Sequence, residues 1–316
     1  MIPGRTAGRD RTWSIAMRWL CGVALLGASL AQATSGDASS KSLIQAVGAE
    51  NEYANVIAQV GGRYVSVTSI MSNPNTDPHT FEVSTSVARE VASAQLIVQN
   101  GVGYDTFMQQ LESASPSSSR KVISAQALLG LPTSTKNPHL WYKPATMTLV
   151  ARSVEHDLAQ VDPGHATYFK QRLATFDKSL LSLGHVVAAF RAKFKGDKVA
   201  TTEPVADYLL TALGLDNVTP FSFQADIMNG VDPSPEDIAF QEKLFTSDVV
   251  KVFCYNAQVN SPVTISLRNL AKSSHVPIVA VYETMPVPGY DYQKWMLAEI
   301  HSLTSALERR VSTTSL

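Results

Sequence analysis

The chain is almost without cysteine: Cys21 and Cys254 are the whole complement in 316 residues. Cys21 falls in an N-terminal leader, so the remaining chain has one thiol, which excludes an internal disulfide. Charge of one sign is also lacking. The formal net charge is -1, which argues against nucleic acid as a partner, since that needs a basic face to neutralise phosphates. No second apolar span follows the leader. There is no H-E-x-x-H, C-x-x-C, G-x-x-x-x-G-K or G-x-S-x-G, so the common zinc-protease, redox, P-loop and hydrolase signatures are missing. What is present is an ordinary globular composition, 45% hydrophobic and 17% charged, in a chain long enough for two domains.

Residues 1–33 have the composition of a secretory signal. Arg5, Arg9, Arg11 and Arg18 make a basic start, Leu20 to Leu30 is an unbroken run of apolar and small residues, and Ala31-Gln32-Ala33 follows. That order predicts cleavage after Ala33, a mature chain starting at Thr34, and a periplasmic location. Cys21 stands at the start of the apolar run and not at its end, which is the wrong place for a lipid-anchor cysteine. Cys254 lies in the strand-like run Val249 to Tyr255 and reads as a small core residue.

The rest of the chain alternates short strands with helices. In the first half the pattern predicts strands at Ser42 to Gly48, Tyr64 to Ile70, Gln95 to Gln99 and Lys121 to Ser124. Helices are predicted at Asn51 to Val60, Ser84 to Ser93, Tyr104 to Leu111 and Pro144 to Leu158. From His165 to Phe194 apolar residues (Phe169, Leu173, Phe176, Leu180, Leu183, Val187, Phe190) step by three and four, which predicts a helix about 45 Å long. The alternation then resumes. Strands are expected at Lys198 to Thr201, Val249 to Tyr255 and Val276 to Tyr282, and helices at Val205 to Leu213, from Ser234-Pro235, at Pro262 to Lys272 and from Tyr290 onward. The fold class is therefore α/β: two lobes, 34–163 and 196–316, each with a mostly parallel sheet flanked by helices, bridged by one long helix over 164–195.

Ligand sites in such sheets lie beyond the carboxyl ends of the strands. Two Pro-His dipeptides fall there in the first half: Pro78-His79, within Asn75 to Glu82, and Pro138-His139, within Asn137 to Pro144. Proline restricts the residue before it and removes a donor, so each imidazole is aimed. The second half has two strand-end acids, Glu203 after Lys198 to Thr201 and Glu283 after Val276 to Tyr282. Taken alone, each acid reads first as a helix-start charge, Glu203 gaining from the dipole of the helix opened by Pro204. Together, two imidazoles and two carboxylates make an N2O2 set for a divalent transition metal. His156, His165, His185 and His301 lie on helices without a partner at metal spacing, and His275 sits in a turn; all five read as surface or satisfied residues.

These residues carry a resemblance. The stretches Pro74 to His79, Asn100-Gly101-Val102-Gly103-Tyr104, Asn137 to Tyr142, Thr202-Glu203-Pro204 and Pro277 to Glu283 resemble, in the same order and over nearly the whole mature chain, the metal-specific solute-binding proteins of ABC importers. The resemblance implies a receptor and not an enzyme. It implies one metal buried between the lobes on His79, His139, Glu203 and Glu283, and a permease and an ATPase as separate partner chains, with the receptor itself a monomer. The third position is commonly histidine in zinc receptors and glutamate in manganese or iron receptors, so Glu203 favours the latter; the expected cargo is manganese or zinc, with iron a third candidate. The chain departs from the family in three places. Glu283 stands where aspartate is usual, Lys143 where an acid is usual, and the histidine-rich loop of many zinc receptors is missing. Two alternatives are an exported metal-dependent hydrolase and a surface adhesin of the same fold. Four protein ligands would close a tetrahedral site and leave no place for an activated water, which argues against the hydrolase.

Overall fold

The computed structural model describes residues 42–73, 81–286 and 288–316. The leader, with Cys21 and the Ala33–Thr34 junction, and the loop carrying His79 lie outside the described residues.

Eight strands form two parallel four-stranded sheets among the described residues. The first contains β1 (Ile44–Glu50), β2 (Val65–Met71), β3 (Leu96–Gln99) and β4 (Lys121–Ser124), in the order β2-β1-β3-β4. The second contains β5 (Lys198–Thr201), β6 (Asp216–Asn217), β7 (Val252–Asn256) and β8 (Ile278–Val281), in the order β6-β5-β7-β8. Both sheets thus follow one plan, with the first and third strands adjacent at the centre. Every residue of β3, β7 and β8 is buried, and all but Gln99 and Asn256 at the strand ends are apolar, because both faces are covered.

The connections are α1 (Asn51–Gly61), α2 (Thr85–Ser93), α3 (Thr106–Ala114), α4 (Ala125–Leu128) and α5 (Thr146–Val161) in the first half. The second half has α7 (Asp207–Leu213), α8 (Phe221–Met228), α9 (Pro235–Thr246), α10 (Pro262–Ser273) and α11 (Tyr292–Arg309). Local chemistry sets several of the ends. Ser84 and Ser234 accept from backbone N–H groups three residues on, Ser261 and Thr264 form a reciprocal capping pair, and Gly214 closes α7 at φ 79°.

Between the halves runs α6 (Ala166–Phe194), 29 residues and about 44 Å long. Phe169, Phe176, Phe190 and Phe194 are its buried residues, at separations of seven, fourteen and four, so one stripe faces the core. They join a hydrophobic core that continues from Tyr53 and Leu96 of the first half to Phe253 and Trp295 of the second. A smaller cluster, with Val47, Ile97, Val91 and Met108, fills the other face of the first sheet, under α2 and α3.

Several expected boundaries shift by one to three residues, and two of the shifts bear on the site. The helix after Glu203 starts at Asp207, not at Val205, so Asp207 is the acid in its first turn and Glu203 lies outside the reach of the helix dipole. The first strand runs on to Glu50, two residues past Gly48, because Ala49 and Glu50 are both fully buried. Strand β6 and helix α8 were not legible in the sequence.

Candidate metal centre

The His139 side chain is fixed before anything binds it. Pro138 leads into a tight turn in which Leu140 N–H donates to Pro138 O at 2.7 Å, with His139 at φ -77°, ψ 61°. The Asn137 side-chain oxygen lies 3.0 Å from His139 N and 2.8 Å from Nδ1, while the Asn137 amide nitrogen donates to Pro204 O at 2.7 Å. The carbonyl contact on Pro204 orients the Asn137 amide, so its oxygen faces the ring and the proton sits on Nδ1. In the neutral ring this leaves the lone pair on Nε2, the form a metal ligand needs. The ring is fully buried, edge-on to Trp141 and Tyr104.

Nε2 points across to the second half, 3.3 Å from Glu283 Oε2. Glu283 is fully buried and held on every side. Its main-chain N–H donates to Gln258 Oε1 at 2.6 Å, Tyr104 O–H donates to Oε2 at 2.8 Å, and the Asn256 amide donates to Oε1 at 2.6 Å. The same Asn256 nitrogen donates to Glu203 Oε2 at 3.2 Å. The sheet order explains the trio. β7 lies between β5 and β8, so Asn256, the last residue of β7, stands between the acids that follow its two neighbours.

The structure therefore brings His139 and Glu283 into contact and joins Glu203 to Glu283 through Asn256. Among the described residues no three His, Cys, Asp or Glu side chains are grouped so as to hold a metal by themselves. The expected fourth member, His79, lies outside them.

Tyr104 reaches Glu283 from a strained turn. Gly101, Val102 and Gly103 all have positive φ (85°, 56° and 77°), which is rare for a β-branched residue such as Val102. A Cβ at Gly101 would sit 2.7 Å from Gln126 Oε1, so glycine is needed there for space as well as for conformation. Asp105 fastens the turn by accepting from the N–H groups of Asn100 (2.6 Å) and Gly101 (2.8 Å). Burial pushes its carboxyl up to about 6.

Sequence reasoning missed Glu50 and Glu52. Both are fully buried, and among the described residues neither carboxyl has a hydrogen-bond partner in another residue. Burial raises both well above the usual carboxylate range. Asp105 and Glu52 push Glu50 further, and Glu283 pushes Glu52. Glu50 ends a buried strand of the first sheet, as Glu203 and Glu283 follow strands of the second, and that signal could have found it. Lys143, the departure after the second Pro-His, lies over the Tyr208 ring at 4.9 Å. Cys254 is buried, with its thiol pushed up by burial, and is a core residue as expected.

With that geometry in place, the known proteins decide the class. The sequence profile of the family described as "Zinc-uptake complex component A periplasmic" matches residues 47–306. The chain belongs to this family. Its members are metal-specific solute-binding proteins of ABC importers, receptors and not enzymes, so the hydrolase alternative falls.

The chain is 24% identical over 303 residues to the manganese ABC transporter substrate-binding lipoprotein of Streptococcus pneumoniae, covering 88% of this chain and 94% of that one. Its fold is that of the periplasmic zinc-binding protein of Treponema pallidum (TM-score 0.71, 17% identity, 84% of this chain and 99% of that one). It also matches a solute-binding protein of Pseudomonas aeruginosa in complex with Mn2+ (TM-score 0.68, 19% identity, 85% and 99%). The two-lobed architecture with a long connecting helix is common to these structures and this chain. No helix among the described residues is long and apolar enough to cross a membrane.

Proposed function

We propose that this chain captures one divalent transition-metal ion on His79, His139, Glu203 and Glu283, between lobes 34–163 and 196–316 joined by 164–195. It then hands the ion to an ABC permease driven by a separate ATPase. The observation that carries the reading is the contact between His139 Nε2 and Glu283 Oε2 at 3.3 Å, with Nδ1 already committed to Asn137. A dication placed there meets an imidazole lone pair from one half and a carboxylate from the other. With Glu203 it forms a formally neutral buried set. Ligands from both halves tie the halves together, and the stiff helix α6 limits their relative swing.

Manganese or zinc is the cargo, with iron the third candidate. Zinc binds more tightly in vitro whichever ion is transported, following the general affinity order of divalent metals. The protein acts as a monomer, exported with cleavage after Ala33. N-terminal sequencing of the periplasmic form should begin at Thr34, and a lipid-modified Cys21 would contradict that processing. Titration of metal-stripped protein with Zn2+ and Mn2+ tests the function itself. One ion per chain, lost in His139→Ala and in Glu283→Gln, is the expected result. Stoichiometric binding that survives both substitutions refutes the reading.

A further inference from the structure

We propose that Asn51 is a positioning residue for the metal centre. From the first half it holds the main chain beside Glu283, and so sets the spacing between ligands drawn from the two halves. The proposal rests on the reading of His139 and Glu283 as ligands given above. Its basis is a two-bond contact between one side chain and one residue's main chain. Asn51 Oδ1 accepts the Met285 N–H at 2.9 Å, and Asn51 Nδ2 donates to Met285 O at 3.1 Å. The two residues are 234 apart in sequence.

Glu283 needs such a hold because it stands in a loop. β8 ends at Val281, and α11 does not start until Tyr292. From its own half the loop is held by Gln258, whose Oε1 accepts the N–H groups of Glu283 (2.6 Å) and Thr284 (3.0 Å). Those bonds fix Glu283 within the second half and leave its distance from His139 open. The first half takes hold of the main chain on both sides of Glu283. Tyr142 O–H donates to Tyr282 O at 2.8 Å on one side, and Asn51 grips Met285 on the other.

Asn51 also heads a row of amides. Asn55 and Gln59 follow it at steps of four on α1, which puts the three on one face of the helix. Asn55 Oδ1 accepts the Tyr292 N–H at 3.0 Å, and Gln59 and Gln293 exchange amide bonds at 2.9 and 3.2 Å. Gln293 then donates to Ser179 Oγ of α6 at 2.7 Å. The row thus fastens the chain between Met285 and Gln293 to α1 and, at its far end, to the connecting helix. Amides carry no charge and do not titrate, so these bonds need neither the ion nor a particular pH. The register of the two halves is therefore set before metal binds, and ligands from both keep their spacing in the metal-free protein.

Competition titration of Asn51→Ala with Zn2+ tests this, beside Gln59→Ala and Glu283→Gln. Both amide variants lose bonds between the halves, and both should melt lower without metal. Asn51 acts two residues from a ligand and Gln59 acts ten away. Asn51→Ala should therefore lower Zn2+ affinity by about 10-fold, the lower end of what outer-shell partners contribute, and Gln59→Ala should leave it unchanged. A lower Tm with unchanged affinity in Asn51→Ala makes the residue structural and overturns the inference, as does an equal loss of affinity in both amide variants. Amide hydrogen exchange on metal-free wild-type protein is a second test that needs no variant to fold. The Met285 N–H should exchange slowly, and fast exchange there overturns the inference. Glu283→Gln separates this from the receptor reading: wild-type affinity in that variant removes Glu283 as a ligand and takes the role of Asn51 with it.

Discussion

His139 and Glu283 are 144 residues apart in sequence and 3.3 Å apart in space, one from each half of the molecule. The contact is polar, fully buried and bordered by aromatic rings, so a cation that enters it loses its water to fixed protein donors. The predictions below follow from what holds each side of that contact in place.

Asn137 sets the tautomer of His139 and ties its loop to Pro204. Asn137→Ala should lower metal affinity by about 10- to 100-fold, the usual cost of losing an outer-shell partner. A competition titration checks this, and unchanged affinity would mean that the ring is oriented by packing alone.

Tyr104 joins the halves through its hydrogen bond to Glu283 at 2.8 Å. Tyr104→Phe removes a bond to a carboxylate and should destabilise the metal-free protein by about 1.5 kcal/mol, a drop in Tm of roughly 2–3 °C at this chain length. Thermal unfolding in the presence of a chelator measures it.

The strands were legible because parallel strands covered on both faces read as unbroken apolar runs, as in Val252 to Tyr255 and Ile278 to Val281. The two-residue β6 is too short to leave such a run. His139, Glu203 and Glu283 could be named from local signals, a proline before the ring and an acid after a strand. Asn256 could not, because its role depends on the order of strands in the sheet. Tyr104 meets Glu283 only across 179 residues of intervening chain, and no local pattern encodes that meeting. Glu52 was hidden for another reason: an acid in the first turn of a helix is ordinary, and its burial is a property of the assembled molecule.

Glu299 makes the fold sensitive to pH. It is fully buried behind the site, where the Tyr142 hydroxyl (2.6 Å) and Trp295 Nε1 (3.0 Å) approach its Oε1. Burial pushes its carboxyl from 4.5 up to about 8. The folded state thus keeps a proton that the unfolded chain gives up. The resulting stability is fully present below pH 4.5 and is lost as pH rises through 8. Asp105, raised from 3.8 to about 6, acts with the same sign over a lower range. The Tm of metal-free protein should therefore fall between pH 5 and pH 8.5, and Glu299→Gln should flatten that fall. An equal fall in the variant would place the effect elsewhere.

Phe176 is 2% exposed on the buried stripe of α6. Phe176→Ala should cost about 3–5 kcal/mol in denaturant unfolding. A loss below about 1 kcal/mol would mean that the long helix is held by its ends and not along its length.

The central claim is that one metal ion is shared between the two halves through His139 and its partners. X-ray absorption at the zinc edge of the loaded protein tests it most directly. The account predicts two imidazole nitrogens at about 2.0–2.1 Å with oxygen completing the shell, no sulfur, and the loss of one imidazole in His139→Ala. An imidazole signal unchanged by that substitution, or a sulfur ligand from Cys254, would contradict it.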